Sequence, residues 1–526
     1  MHLRQAAPAM LTSPKSAPLL RKTLAVVTAC MTITSCVSLT ESDHRADTQP
    51  ARPTANTALP QPPNQLYGDL FVAVQSAQLY PDQKTFVDST LDTDPASIVQ
   101  LYRQQRAEPG FSLKAFTEQH FTPPAAEHIT PPPNQTLREH IDWLWPRLTR
   151  ASVTVPPNSS LIALPKPYVV PGGRFQEGYY WDTYSTMLGL QVSGREDLVD
   201  DMLDNFAHLI NTIGHVPNGN RTYYASRSQP PFFSNMVDLA AQAEGDGIYR
   251  KYLPVLLKEH EYWMQGEHET PPGTASRHVV TMPDGTVLNR YWDASDARRD
   301  ESYLEDTKTA EEALGRPANE VWRDLRAGAE SGWDFSGRWC ADPTDMATIE
   351  TTAIAPVDLN ALLAGLEDAI AQGAARHGDA ATSQAFQARA AARRQLLHTR
   401  FWRAAAGHFA DLHWRQPEAS RPLTAASLVP LYLGLATPAQ AQAMARKIAQ
   451  LRIMRDELSV TDPGSMRVHG ITSTNGKTTT SYVLYNLLAG ILGKDKVGLS
   501  TTVEVIIDGV GRPAMRTTPE APLVQE

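Results

Sequence analysis

The sequence predicts a mainly α-helical protein that ends in a short α/β segment. Between about Gln65 and Leu451, apolar residues recur at helical spacing, and the helical stretches are rich in alanine, separated by prolines and poor in strand-like runs. After Trp414 there is no further Phe or Trp, and from Arg467 onward the pattern changes to strand, loop, helix and strand. We therefore expect a large helical body followed by a βαβ unit of a different domain.

Residues 1–36 have the features of an export signal. Arg21 and Lys22 precede an apolar run over Thr23–Leu39 that is short for a membrane span. The sequence ITSC at 33–36 is similar to a lipobox, in which Cys36 would carry a lipid anchor. A plain cleaved signal peptide, a lipoprotein signal and a retained anchor are the alternatives. Each of them predicts a bacterial envelope protein located in the periplasm.

Residues 37–64 are predicted to be a disordered linker, because this stretch is rich in Thr, Pro, Ala and Asn and has few large apolar residues. Of three cysteines only Cys340 lies in the helical body, so no disulfide can form within that body. We expect Cys340 to be buried as a small apolar residue. The net charge of −9 provides no basic surface for nucleic acid.

The helical body is predicted over residues 65–455. Apolar periodicity places helices at Leu198–Ile213, Val357–Ala375 and Ser383–Trp402. All ten tryptophans lie between Trp143 and Trp414. Because sugar rings stack on aromatic faces, this clustering fits a sugar-binding domain, although core packing is the alternative for any single tryptophan.

The segment Pro171–Tyr184 reads PGGRFQEGYYWDTY and groups several polar side chains with an indole. It contains the guanidinium of Arg174, the carboxylates of Glu177 and Asp182, and Trp181, which could stack on a sugar. Two glycines at 172 and 173 permit a backbone that turns these groups inward. The segment matches every fixed position of PGGRFxExYxWDxY, so the chain resembles the trehalase family of glycoside hydrolases.

The resemblance extends over about residues 65–451, with LYGDLFVAVQSAQLYPDQKTFVD at the start and GHVPNGNRTYYASRSQPPFF at 214–233, which is similar to the family's substrate loop. It implies an (α/α)6 barrel, a monomer, and hydrolysis of α,α-trehalose to two glucose molecules without a metal or organic cofactor. The arginine and amide side chains suit the binding of vicinal hydroxyls. The substrate-binding residues that the resemblance implies are Arg174, Trp181, Asp182, Asn218, Arg227, Ser228, Gln229, Arg299, Glu301 and Gly332.

Asp334, in ESGWDFSGRW at 330–339, corresponds to the proton donor of the family. Burial between Trp333 and Phe335 would keep this carboxyl group protonated until the glycosidic oxygen takes the proton. Members of the family invert the anomeric carbon, which requires a second carboxylate about 6.5–9.5 Å from the acid to activate water.

The second family signature, QWDxPxGW, does not occur in the sequence. The general base follows that signature in the family, so we assign no base to this chain. We expect the barrel to be incomplete, with exposed apolar faces and a half-built site. The alternative to a trehalase is therefore a catalytically inactive sugar-binding remnant.

Residues 466–526 resemble the start of the Mur ligase central domain. The sequence GITSTNGKTTT at 470–480 is close to that family's phosphate loop, whose backbone amides and lysine bind ATP and whose hydroxyl holds magnesium. Gly476, Lys477 and Thr478 are the nucleotide-binding candidates. Because Ile471 and Ser473 stand where glycines are expected, and only one βαβ unit follows, we predict a non-functional fragment of an ATP-binding ligase.

Overall fold

The computed structural model describes residues 61–125, 132–151, 155–156, 158–419 and 421–447, together with three short strands between 499 and 513. Helices account for most of the described body, as the sequence predicts. The α-helices are α1 (Pro63–Ser76), α2 (Lys84–Val87), α3 (Pro95–Gln105), α4 (Leu113–His120), α5 (Leu137–Leu148), α6 (Tyr180–Val192), α7 (Glu196–Ile213), α8 (Phe233–Glu244), α9 (Gly247–Met264), α10 (Tyr303–Glu312), α11 (Ala318–Glu330), α12 (Val357–His377), α13 (Ala380–Leu396) and α14 (Val429–Tyr432).

The three helices predicted from periodicity are present. Leu198–Ile213 falls within α7, and Val357–Ala375 falls within α12. The predicted helix Ser383–Trp402 begins earlier, at the start of α13, and passes into a π-helical turn over Leu397–Phe401. Residues 438–447 are also helical.

The main core lies where α6 to α9 pack against one another and against α12. Helix α12 is buried on nearly all sides, as expected of a helix that is apolar around most of its circumference. It packs on α9 and α8, and a short turn at Gly378 connects it to α13. Cys340 belongs to this core and is 3% exposed, and burial raises the pKa of its thiol to about 11, which confirms the prediction of a buried cysteine.

Helices α1 to α4 enclose a second apolar cluster of aromatic side chains. Phe86 of α2 lies at its centre, with its ring 5.1 Å from that of Phe121. Tyr179, which precedes α6, and Tyr224, which follows α7, belong to the same cluster. This N-terminal group of helices therefore packs directly behind the signature motif.

The strands of the body are short and antiparallel. Within the part of the body that the structure describes, the largest sheet is a three-stranded meander over residues 274–289, and there are three two-stranded pairs. The strands are β1 (Thr149–Arg150), β2 (Tyr168–Val169), β3 (Thr274–Ser276), β4 (Val279–Thr281), β5 (Val287–Asn289), β6 (Ile354–Ala355), β7 (Trp402–Arg403), β8 (His408–Phe409) and β9 (Leu412–His413).

The described part of the C-terminal tail differs from the prediction. The last strand of the predicted strand, loop, helix and strand pattern corresponds to two strands in the structure, β10 (Leu499–Ser500) and β11 (Glu504–Ile507). Both belong to an antiparallel meander with β12 (Val510–Pro513). The parallel pairing within the predicted βαβ unit would involve its first strand and its last. The first strand, the phosphate loop and the helix of that unit lie outside the described residues.

Candidate active site

The signature motif forms a tight loop followed by the first turn of α6. Gly172 and Phe175 exchange two backbone hydrogen bonds of 3.1 Å, and Gly172 has a φ of +94°. A Cβ on Gly172 would lie 2.9 Å from Leu148 Cδ2, and Gly173 has a φ of +62°. Two glycines are therefore needed here for the sharp reversal that leads into α6.

Trp181, on the first turn of α6, meets the segment that carries Asp334. Gly332 has a φ of +70°, and a Cβ built on it would lie 2.5 Å from Cε2 of Trp181. The rings of Trp181 and Trp333 meet edge to face with centroids 5.6 Å apart. The structure thus brings together two predicted sugar-contacting residues, Trp181 and Gly332, that are distant in sequence.

The predicted substrate loop is hydrogen-bonded to the first turn of α6 and to the end of α11, which precedes Asp334. Gln229 Oε1 accepts a hydrogen bond from the backbone amide of Trp181 at 3.2 Å, and Asn218 Nδ2 donates to the carbonyl of Ala329 at 3.3 Å. The backbone amide of Ser228 donates to Glu330 Oε1 at 2.9 Å. Three of the four predicted residues in this loop therefore contact the signature helix or the end of α11.

Arg227 and Glu301 form a buried ion pair. Arg227 Nη2 donates to Glu301 Oε1 at 2.9 Å, and the guanidinium lies 5.0 Å from the ring centre of Tyr224. Burial acts to raise the pKa of Glu301, but the charges of Arg227 and Arg299 outweigh it and hold that pKa below its usual range. Glu301 is therefore ionised at neutral pH.

Arg299 lies close to the acid segment. It donates to both carboxylate oxygens of Asp306, with Nη2 at 2.5 Å from Oδ1, and its guanidinium is 4.9 Å from the ring centre of Phe335. Burial acts to lower the pKa of Arg299, but the charges of Asp306, Glu301 and Asp334 raise it. Arg299 is therefore cationic and is electrostatically coupled to Asp334.

The prediction that the Asp334 carboxyl group is buried between Trp333 and Phe335 is wrong. Asp334 is exposed, while its neighbours Trp333 and Phe335 are half-buried. Trp333 turns away from it and donates to Asp358 Oδ2 on α12 at 2.8 Å, and Phe335 lies beneath Arg299. Flanking aromatic residues in sequence therefore pack to the sides of Asp334 and do not cover its carboxyl group.

Several polar atoms of the predicted substrate residues are buried and have no hydrogen-bond partner among the described residues. They are Nε1 of Trp181, Nε and Nη1 of Arg227, and Oε2 of Glu301. Buried polar atoms in native structures are nearly always paired, so the lack of a partner for these four atoms is unusual.

Two residues of the signature differ from the expected inward cluster. Arg174 is exposed, and its guanidinium lies 5.5 Å from the ring centre of the adjacent Phe175. Glu177 is fully buried in an ion-pair cluster, where it accepts from Lys84 Nζ at 3.0 Å and from Arg221 Nε at 2.7 Å. Asp182 is 5% exposed on the first turn of α6. Among the described residues, Arg174 has no contact with the other predicted substrate-binding residues.

The residues that connect the segments of the site are not among those predicted from the sequence. Glu330 is fully buried and accepts hydrogen bonds from four groups, and Asp293 accepts from Arg326 Nε at 2.8 Å and lies 3.6 Å from Arg227 Nη1. The only sequence signal for Glu330 was its position four residues before Asp334 in ESGWDFSGRW. The nucleotide-binding candidates Gly476, Lys477 and Thr478 lie outside the described residues.

A helical scaffold that gathers an indole, arginines and carboxylates around the segment of Asp334 suits recognition of a sugar and cleavage of its glycosidic bond. Comparison with known proteins agrees with this class. A family model described as trehalase matches residues 78–476. The periplasmic trehalase of Xanthomonas oryzae pv. oryzae is 51% identical over 413 residues, which is 78% of this chain and 72% of that protein.

The periplasmic trehalase of Pseudomonas aeruginosa is 52% identical over 404 residues, 77% of this chain and 74% of that protein. Among solved structures, the neutral trehalase of Saccharomyces cerevisiae is 28% identical, with 53% of this chain and 54% of that chain covered and a TM-score of 0.44. The family model and the two periplasmic relatives show that the chain belongs to the trehalase family and is a glycosidase. The names of its relatives confirm the predicted periplasmic location. None of the helices in the described part of the chain is long and apolar enough to cross a membrane.

Proposed function

We propose that this chain hydrolyses α,α-trehalose to two glucose molecules with inversion of configuration, and that Asp334 is the general acid. The observation that carries the proposal is the contact between Trp181 and the backbone of Gly332. This contact holds a sugar-stacking indole beside the segment that supplies the acid. Relatives that are about half identical to this chain and are named trehalases support the choice of substrate.

The unpaired atoms of Arg227 and Glu301 support recognition of a neutral sugar. A guanidinium that donates and a carboxylate that accepts can together bind two neighbouring hydroxyl groups. Because the two side chains are already ion-paired at 2.9 Å, they present these atoms in a fixed geometry. Binding then costs little side-chain entropy.

In the proposed reaction, the Asp334 carboxyl group gives its proton to the glycosidic oxygen as the bond from that oxygen to C1 breaks. Water adds to C1 from the opposite face and loses its proton to a general base. We assign no residue as the base, because no position of this sequence corresponds to that of the family. The products would be one α-glucose and one β-glucose.

The test is glucose release from α,α-trehalose by the purified chain, with the anomers followed by NMR. Asp334→Asn is expected to lower kcat by about 100-fold or more, the usual contribution of a general acid. Asp92→Asn, at another exposed aspartate, is the matched control and is expected to retain activity. Equal activity of Asp334→Asn and the control would exclude Asp334 as the acid.

The alternative, a catalytically inactive sugar-binding remnant fused to a non-functional ATP-binding ligase fragment, predicts binding of trehalose without turnover. Calorimetric titration of the wild-type chain with trehalose, combined with the glucose-release assay, distinguishes this alternative from the proposed hydrolase. Closure of the helices into an (α/α)6 barrel, a monomeric state and a lipid anchor at Cys36 stay predictions.

A further inference from the structure

Glu330 occupies an unusual position for a buried carboxylate. It is the last residue of α11, where the helix dipole disfavours a negative charge, and its side chain is fully buried. Neither a lysine nor an arginine pairs with it among the described residues. A buried charge of this kind requires hydrogen-bond donors on both oxygens.

Four donors surround the two oxygens of Glu330. Oε1 accepts from the amide of Ser228 at 2.9 Å and from the hydroxyl of Tyr262 at 3.1 Å. Oε2 accepts from the amide of Trp292 at 2.7 Å. His278 Nε2 lies 3.1 Å from both oxygens. Glutamine cannot satisfy this arrangement, because its amide nitrogen would face at least one of these donors.

Two of these donors are backbone amides of segments that build the site. Ser228 lies between Arg227 and Gln229, both predicted to contact substrate, and Trp292 precedes Asp293, which is 3.6 Å from Arg227 Nη1. The Glu330 backbone itself leads through Gly332 to Asp334. One carboxylate thus connects the substrate loop, the segment around Trp292 and the segment of the proposed acid.

We propose that Glu330 is a positioning residue that sets the distance between the substrate loop and the segment of Asp334. This inference rests on the proposed function, because it assigns Glu330 a role in aligning the sugar with its proton donor. A purely structural carboxylate would affect all substrates alike. A positioning residue affects most the substrate whose leaving group needs the proton.

The experiment compares α,α-trehalose with α-D-glucopyranosyl fluoride, whose departing fluoride needs no protonation, using the full chain. In Glu330→Gln, kcat/KM for trehalose is expected to fall about 100-fold, since displacement by about 1 Å has effects of this size. The decrease in kcat/KM for the fluoride is expected to be at least about 10-fold smaller, because the substitution misaligns only the proton donor, which the fluoride does not need.

Tyr262→Phe provides a second, milder variant that removes a single donor and keeps the ring that stacks on His215. In Tyr262→Phe we again expect kcat/KM to fall more for trehalose than for the fluoride, with both decreases smaller than in Glu330→Gln. Glu367→Gln is the matched control, since Glu367 is a buried glutamate of α12 that contacts a histidine, His260, and Arg393. Glu367→Gln is expected to lower the melting temperature but to leave the ratio of kcat/KM for trehalose to kcat/KM for the fluoride unchanged.

Equal losses on both substrates, or no loss in Glu330→Gln and Tyr262→Phe, would overturn the positioning role while the proposed function stands. A wild-type chain that hydrolyses neither substrate would overturn the proposed function, and this inference would fall with it.

Discussion

Gly332 acts in the site through the absence of a side chain. Because a Cβ there would lie 2.5 Å from Cε2 of Trp181, Gly332→Ala must move the indole or the backbone. Overpacking of this kind costs about 1–3 kcal/mol. We therefore expect KM for trehalose to rise about 10-fold, as 1.4 kcal/mol corresponds to a factor of ten. Steady-state kinetics measure this change.

Gly315→Ala separates the steric effect from backbone strain. Gly315 has a φ of +81°, and a Cβ there would have nothing within 4 Å. Both variants therefore place alanine in the left-handed region of φ, which is strained. Only in Gly332→Ala does the new Cβ also clash with the indole of Trp181. Gly315→Ala is expected to lose stability and keep its KM. A similar rise in KM in both variants would contradict the proposed contact.

At the scale of elements, the glutamate of the signature motif connects separate parts of the chain. Glu177 accepts from Lys84 of α2, from Arg221 at 2.7 Å and from the hydroxyl of Tyr179 at 2.9 Å. Lys84 also contacts Asp88, at the end of α2. The N-terminal helices are thereby fixed to the loop that leads into α6 and, through Arg221, to the substrate loop.

Glu177→Gln is expected to destabilise the chain by about 3–5 kcal/mol, because it leaves two buried cations without part of their compensation. Chemical denaturation followed by circular dichroism measures this loss. Asp69→Asn is the control, since Asp69 pairs with the exposed Arg103 and Arg106 and is expected to change stability by less than about 1 kcal/mol. Equal effects of the two substitutions would show that the cluster does not stabilise the fold.

The contribution of Glu177 to the free energy of unfolding depends on pH. Burial acts to raise the pKa of Glu177, but Lys84 and Arg221 outweigh it and lower the pKa to about 2. Since this value is below that of the unfolded chain, about 4.3, the stabilisation is present above that pH and is lost as the pH falls toward 2. The difference in unfolding free energy between wild type and Glu177→Gln should narrow over that range.

The helices were predictable because their signals are local. In α7, Leu198, Met202 and Leu209 recur at helical spacing, and Gly214 ends the helix with a φ of +100°. The two- and three-residue strands had no such signal. Their positions depend on partners far along the chain, as in the pairing of Ile354 with His413.

Over the whole molecule, sequence motifs indicated which residues form the site but not how they are connected. Trp181 and Gly332 were both predicted, and the contact between them follows only from the fold. Glu330 could not be predicted, because its donors lie at 228, 262, 278 and 292 and no periodicity links those positions. The exposure of Asp334 likewise depends on which elements cover it, and its flanking aromatic residues gave the wrong expectation.

In the chain as a whole, the C-terminal tail is expected not to bind nucleotide. Ile471 and Ser473 replace glycines whose small size would let the backbone approach phosphate closely, so we expect Mg-ATP not to raise the melting temperature. A ligand at 100 times its Kd would stabilise the folded chain by about 2.7 kcal/mol, which thermal unfolding detects. Lys477→Ala removes the predicted phosphate ligand, and Lys494→Ala is the control outside the loop. Stabilisation by Mg-ATP that Lys477→Ala abolishes and Lys494→Ala preserves would show that the tail binds nucleotide, and the prediction of a non-functional fragment would be wrong.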